Sequence, residues 1–160
     1  MRIEISVGGQ TLALLDEGGS VLRHYRVSTA ANGVGERNGS LCTPRGRHVI
    51  RAKVGRGASL NTVFVERRRT GEIFSEALFA RYPGRDWILT RILWLSGCEP
   101  GFNRLGEVDT MRRCVYIHGT PERTVLGMPG SKGCVRMANR DIVELFDLVP
   151  AGTPVEIRVR

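Results

Sequence analysis

Paired glycines cut the first 28 residues into short apolar runs, and such a chain is held to strands rather than helices. Residues 2–7 and 10–15 are separated by Gly8-Gly9, which reads as a two-residue hairpin turn, and Gly18-Gly19 leads into a third run from Ser20 to Ser28. Three antiparallel strands over this span make a meander. Thr29 to Gly46 is rich in Gly, Asn, Ser and Pro and is expected to be a long ordered loop, a length that goes with function, before a strand from Arg47 to Val54. From Gly55 to Leu105 the pattern breaks into a basic loop, a short helix at Ile73 to Ala80, an apolar run from Trp87 to Leu95, and a Gly/Pro-rich turn through Gly97 to Gly106. Met111 to His118 alternates as a strand, with Cys114, Tyr116 and His118 on one face and Val115 and Ile117 on the other. Asn139 reads as the N-cap of a short helix with Ile142, Leu145, Phe146 and Val149 as its apolar stripe, and Thr153 to Val159 returns to alternation as a final strand. No repeat or linker divides the chain. The expectation is one mostly β domain, residues 1–160, with one or two short helices.

At 160 residues about two-thirds of the unfolded surface can be buried, so the core needs no disulfide staples. No apolar run approaches the roughly 18 residues of a membrane span, and Met1-Arg2-Ile3-Glu4-Ile5 lacks the apolar stretch of a secretion signal. A cytoplasmic location is expected if Met1 is the natural start, a periplasmic one if a leader has been removed. Net charge is +8, and all the basic residues except Lys53 and Lys132 are arginines, a usage that suits carboxylate or phosphate partners. The arginines are scattered, with Arg67-Arg68-Arg69 the single run of three, and aromatics are 6%, which argues against a nucleic-acid binder. Cys42, Cys98, Cys114 and Cys134 form no C-x-x-C pair, and Cys114 and His118, four apart on a strand, would lie about 13 Å apart, too far to share an ion. No metal and no organic cofactor are expected.

Walker-A and dinucleotide spacings are absent, as are Ser-x-x-Lys and Gly-x-Ser-x-Gly, which removes nucleotide kinases and the common serine hydrolases. What remains is Ile117-His118-Gly119-Thr120 followed by Gly130-Ser131-Lys132-Gly133-Cys134-Val135-Arg136-Met137. A histidine at a strand end can take the proton of Cys134 if the fold brings them together. Gly133 lets the backbone approach closely, so that the N–H groups of Lys132, Gly133 and Cys134 could face an oxyanion. Lys132 and Arg136 flank the thiol and would favour its thiolate form. On residue types alone, an inert cysteine near an unrelated histidine is an equal alternative.

These residues resemble the signature of the L,D-transpeptidase catalytic domain (YkuD-type), a His-Gly followed by Ser-His-Gly-Cys, an apolar residue and Arg or Asn. His118-Gly119-Thr120 and Ser131 to Met137 match it, and Thr43-Pro44-Arg45-Gly46 matches the upstream Thr-Pro-x-Gly element. The likeness runs from the first strand to Thr153-Pro154-Val155 and includes Trp87 to Leu93 and Glu99 to Asn103. One position departs: Lys132 stands where the motif has its second histidine, so any orienting role of that imidazole is lost while a backbone oxyanion contribution would survive.

The resemblance implies a β-sandwich and acyl transfer on peptidoglycan stem peptides or muropeptides. Cys134 would attack the carbonyl of the third residue of a tetrapeptide ending in diaminopimelate and D-Ala. His118 would act as base and then acid, with Gly119 O holding its other ring nitrogen. Ser131 and Arg136 would secure the loop or the substrate, and Tyr116 would line the pocket or pack. Water would make the protein an L,D-carboxypeptidase that trims muropeptides in wall recycling; an amine would make it a cross-linking transpeptidase. A catalytically silent peptidoglycan-binding module is the reading from another class. His24 and His48 are read as an edge residue and a packing residue.

Overall fold

A computed structural model describes every residue from Met1 to Arg160. In chain order it contains β1 (Arg2–Ser6), β2 (Thr11–Leu15), β3 (Val21–Ser28), β4 (Gly46–Val54), β5 (Thr62–Val65), β6 (Arg68–Ile73), α1 (Glu76–Arg81), β7 (Ile88–Gly97), β8 (Tyr116–Thr120), β9 (Val135–Ala138), α2 (Asn139–Leu148) and β10 (Pro154–Arg158). The mostly β expectation and the opening meander hold, although the first turn takes Val7 to Gln10 rather than Gly8-Gly9 alone.

A sandwich needs two separate packed sheets, and the strands do not divide that way. The order β4-β10-β1-β2-β3-β9-β8-β7 returns on itself because β7 pairs with β4, giving a barrel-like closed sheet. Closure leaves those eight strands without an open edge along their paired lengths. β5 pairs with the start of β7, Val63 opposite Leu89, so that β5 and β6 form an arm beyond the ring. The hand-over occurs at a bulge where Thr90, with φ of +75°, sits fully buried. A β-branched residue tolerates that backbone only under constraint. Here Thr90 Oγ1 donates to Asn139 Oδ1 at 2.7 Å and accepts from the Asn61 N–H at 3.0 Å.

Inside the ring lie Ile3, Ile5, Leu12, Leu14, Val27, Leu93, Leu95, Ile117, Val135 and Met137, and α2 closes the core with Ile142, Leu145, Phe146 and Val149. Lys53 fixes the end of α2. Its Nζ donates to Phe146 O at 2.6 Å and Val149 O at 2.7 Å, satisfying carbonyls that a helix terminus leaves free.

Three local expectations change. The stretch read as a basic loop contains the β5–β6 hairpin, whose turn residues Glu66 and Arg67 both have positive φ, at 50° and 65°. Such turns normally announce themselves through Asn-Gly or Asp-Gly, and this one does not. Cys114 has φ of +57°, which ends the alternation read from Met111, so that the strand begins at Tyr116. Asn139 is not the cap of α2: Ala138 holds that position without a side-chain bond, and the Asn139 amide serves Thr90 and Asn61 instead.

His48 packs, as expected, with Nδ1 3.0 Å from Gly46 O and Nε2 3.0 Å from Thr110 Oγ1. Burial pushes its pKa from the ordinary histidine value down to about 4, against the opposing pull of the Gly46 carbonyl. A depressed pKa means stability that is complete above about pH 6.5 and lost as pH falls toward 4, by about 3 kcal/mol. Urea unfolding from pH 7 to 4 is expected to show that loss, and His48→Gln to make it shallower.

Candidate active site

Ile117, Val135 and Met137 point into the ring, so the two-residue period turns Tyr116, His118 and Arg136 outward. β8 and β9 run parallel with Ile117 opposite Val135 and His118 opposite Arg136, and Cys134 comes just before β9, beside Tyr116. Fifteen residues lie between His118 and Cys134 along the chain, and strand pairing makes them neighbours. The site therefore lies on the outside of the barrel, under the β5–β6 arm. Phe64 of the arm packs with Ile92 and Tyr116, and Cys114 and Cys134 sit half-buried against that cluster.

Arg67, at the hairpin turn, fastens the arm. Its guanidinium lies 4.5 Å over the Trp94 ring and donates to Tyr116 Oη at 2.9 Å and Cys114 Sγ at 3.5 Å. In the sequence Arg67 opens the run Arg67-Arg68-Arg69, and Arg68-Arg69-Thr70-Gly71-Glu72 carries neither apolar alternation nor a turn motif to mark its role.

His118 is 1% exposed, and its Nδ1 lies 2.6 Å from Gly119 O. A carbonyl can only accept, so the proton sits on Nδ1 and Nε2 keeps its lone pair. Burial holds the pKa of His118 below the ordinary value, which the Gly119 carbonyl and Asp86 oppose. Gly119 has no room for a side chain, since a Cβ would lie 2.6 Å from Leu89 O and would also strike Asn139 Oδ1.

Cys134 rests as a neutral thiol. Its Sγ donates to Cys114 O at 3.4 Å and accepts the Tyr116 N–H at 3.3 Å, and it makes no hydrogen bond to His118. Burial pushes its pKa up to about 12; the Tyr116 N–H lowers it, Asp86 and Cys114 raise it, and Arg136 lowers it. The Lys132 side chain is exposed, and the cation among the main influences on the thiol is Arg136. Lys132→Gln is accordingly expected to leave the pH profile of Cys134 alkylation unchanged, within about 0.2 units, as read by mass spectrometry of the labelled peptide.

The loop before Cys134 is set by hydrogen bonds. Ser131 Oγ donates to Cys134 O at 2.5 Å and accepts the Gly133 N–H at 3.2 Å. That N–H is therefore not turned toward an oxyanion, which corrects one of the expected donors. The role of Gly133 is conformational: its φ is +128°, and a Cβ would lie 3.2 Å from Cys42 O. The N–H groups of Lys132 and Cys134 have no partner among the loop hydrogen bonds and remain available. Thr43, from the Thr-Pro-x-Gly element, donates to Gly133 O at 3.0 Å and accepts the Ala30 N–H at 3.0 Å, locking the long loop onto the nucleophile loop. Arg113 adds to this from below, donating to Cys42 O at 2.6 Å and Gly35 O at 3.2 Å. Neither role was legible in the sequence, because both act across about 70 residues or more.

Arg136 donates to Gly130 O at 3.1 Å and pairs with Asp86 at 3.4 Å. Thus Cys134, His118, Gly119, Ser131, Gly133, Tyr116 and Arg136 come together, while the side chain of Lys132 stands apart.

A closed β-sheet with a buried histidine on one strand and a cysteine at the entry to the parallel neighbouring strand defines a cysteine–histidine domain. The model of the L,D-transpeptidase catalytic domain (YkuD) matches residues 1–157, and the chain belongs to that family. YkuD of Bacillus subtilis strain 168, named as an L,D-transpeptidase, is 51% identical over 41 residues, 26% of this chain and 25% of the relative. ErfK/SrfK of Salmonella typhimurium, named likewise, is 49% identical over 45 residues, 28% of this chain and 15% of the relative. The matched stretch thus spans a quarter or less of these curated relatives. Among solved structures, the L,D-transpeptidase of Xylanimonas cellulosilytica has a TM-score of 0.55 at 20% identity, covering 98% of this chain and 59% of that one. A variant of the Enterococcus faecium L,D-transpeptidase has a TM-score of 0.59 at 15% identity, covering 98% and 49%. At these identities the structural likeness is one of fold.

Proposed function

We propose that this chain is a cysteine acyl-transfer enzyme acting on peptidoglycan stem tetrapeptides that end in diaminopimelate and D-Ala. The observation that carries the reading is the 2.6 Å contact from His118 Nδ1 to Gly119 O, which leaves Nε2 as a base on the strand beside Cys134. His118 takes the proton of the thiol as Sγ attacks the carbonyl of the third residue. The oxygen that becomes negative is received by the N–H groups of Lys132 and Cys134. His118 then returns the proton to the departing amine, D-Ala leaves, and a thioester remains on Cys134. Water releases it as a tripeptide, and an amine releases it as a cross-link; in both cases His118 accepts the proton of the incoming nucleophile. No metal or organic cofactor enters either route.

The thiol at rest donates to Cys114 O, a contact it must give up before reaction, and catalytic hydrogen bonds are often loose before substrate arrives. Incubation with a disaccharide-tetrapeptide followed by mass spectrometry tests the reading. Loss of one D-Ala means L,D-carboxypeptidase activity, a dimer means transpeptidation, and an unchanged substrate with no adduct on Cys134 overturns both in favour of a binding module.

A further inference from the structure

Beyond Arg136 the site opens into a cleft of about 280 Å³ walled by Arg85, Arg123 and Arg136 together with Phe79, Trp87 and Thr120. Three guanidinium groups face it, and no carboxylate lines it. Their acidic partners hold them from outside the wall: Glu72 pairs with Arg85 at 2.7 Å, Glu76 with Arg123 at 3.0 Å, and Asp86 with Arg136 at 3.4 Å. Aromatic rings fix two of them further, since Arg123 lies 3.8 Å over Phe79 and Arg85 lies 4.7 Å over Trp87. Each guanidinium has five N–H groups and spends at most two on these partners, so preorganised donors are left over. A separate observation points the same way. The Trp87 indole Nε1 is buried and has no hydrogen-bond partner, and Trp87 lines this cleft. A buried donor without an acceptor is costly, and this one belongs to a residue of the cleft wall.

We propose that the cleft is a carboxylate subsite of the donor peptide, that it takes the free carboxylate of the departing residue, and that Arg85 and Arg123 determine this specificity. The proposal rests on the acyl-transfer reading for its substrate. Direction along the strands selects the departing residue. Cys134 sits at the level of Tyr116, His118 two residues on at the level of Arg136, and Thr120, in the cleft wall, two residues beyond that. The departing amine must reach His118 to be protonated, and one further residue length, about 3.5 Å, carries its carboxylate toward Arg136 and the cleft. The volume suits a terminal amino acid rather than a longer segment, being just under the roughly 300–1,000 Å³ of ordinary ligand pockets. A peptide ending in an amide, or continuing into a further residue, would lose the charge-assisted bonds. The other source of the same chemistry is a carboxylate on the residue retained as the thioester.

Two measurements test this. In the first, the indole N–H resonance of Trp87 is followed by NMR while N-acetyl-D-alanine or its amide is titrated; the acid is expected to shift Trp87 and leave Trp94 unmoved, the amide to shift neither. Arg85→Gln with Arg123→Gln is expected to weaken the response at least tenfold. Arg123→Gln alone, whose ion pair is exposed, is expected to weaken it about threefold and keeps the test available should the double variant unfold. In the second, kcat/KM is compared for tetrapeptides carrying an amide either at the C-terminus or on the free carboxylate of the third residue. The wild-type protein is expected to prefer the free C-terminus at least tenfold, and the double variant to lose that preference. A preference that depends instead on the third residue overturns the departing-residue assignment, and no Trp87 shift with the acid overturns the subsite. A Trp87 shift without turnover of any peptide leaves the subsite standing and defeats the acyl-transfer reading.

Discussion

Cys134→Ser is expected to lower the proposed release of D-Ala from a tetrapeptide by at least about a thousandfold, roughly 4 kcal/mol of transition-state stabilisation, and to leave the far-UV spectrum and the urea midpoint close to wild type. The size follows from chemistry. A serine hydroxyl presents a far weaker nucleophile to the same neutral imidazole, which Gly119 O holds in place. Stability changes little because Sγ makes one hydrogen bond to Cys114 O and one from Tyr116 N, both of which an oxygen can make. Mass spectrometry of the products over time measures the loss. Turnover within tenfold of wild type would remove Cys134 from the mechanism.

The second large effect is on the pH dependence of thiol reactivity. With burial holding Cys134 near 12 and His118 below its ordinary value, both partners are neutral at pH 7. Iodoacetamide alkylation of Cys134 is therefore expected to climb about tenfold per pH unit from 7 to 10 without a plateau. At pH 8 it should be more than a thousandfold slower than for a free cysteine of pKa about 8.5. A thiolate–imidazolium pair would behave oppositely, with a plateau reached near pH 6. Such a plateau would show that the thiol turns to His118 before substrate binds. The sign also bears on catalysis, because a neutral pair transfers its proton during attack rather than before it.

Much of this architecture was legible in the chain. Strands β1 to β3 follow from alternation and glycine turns, and α2 from the stripe Ile142, Leu145, Phe146 and Val149. The pair His118 and Cys134 was legible because each sits in a short motif of small residues; the need for a positive φ at Gly133 is local, whereas Gly119 is fixed by the distant Leu89 O and Asn139 Oδ1. The β5–β6 hairpin was missed because its turn, Glu66-Arg67, uses no glycine or asparagine. Cys114 misled for a related reason, since its positive φ interrupts a pattern that reads as continuous strand.

By itself the sequence determined the strand-rich composition, the outward face shared by Tyr116 and His118, and the presence of a nucleophile loop of the right residue types. Tertiary structure alone decided that β7 pairs with β4 to close the ring, that Arg67 pins the β5–β6 arm onto Tyr116 and Cys114, and that Arg85, Arg123 and Arg136 converge on one cleft. It also decided the charge state of the site, for Lys132 is two residues from Cys134 in sequence yet stands in solvent, while burial sets the thiol high. The division has one physical cause. Period and turn chemistry act over a few bonds and are written in neighbouring residues, whereas closure, burial and the field at a sulfur depend on which distant segments share space.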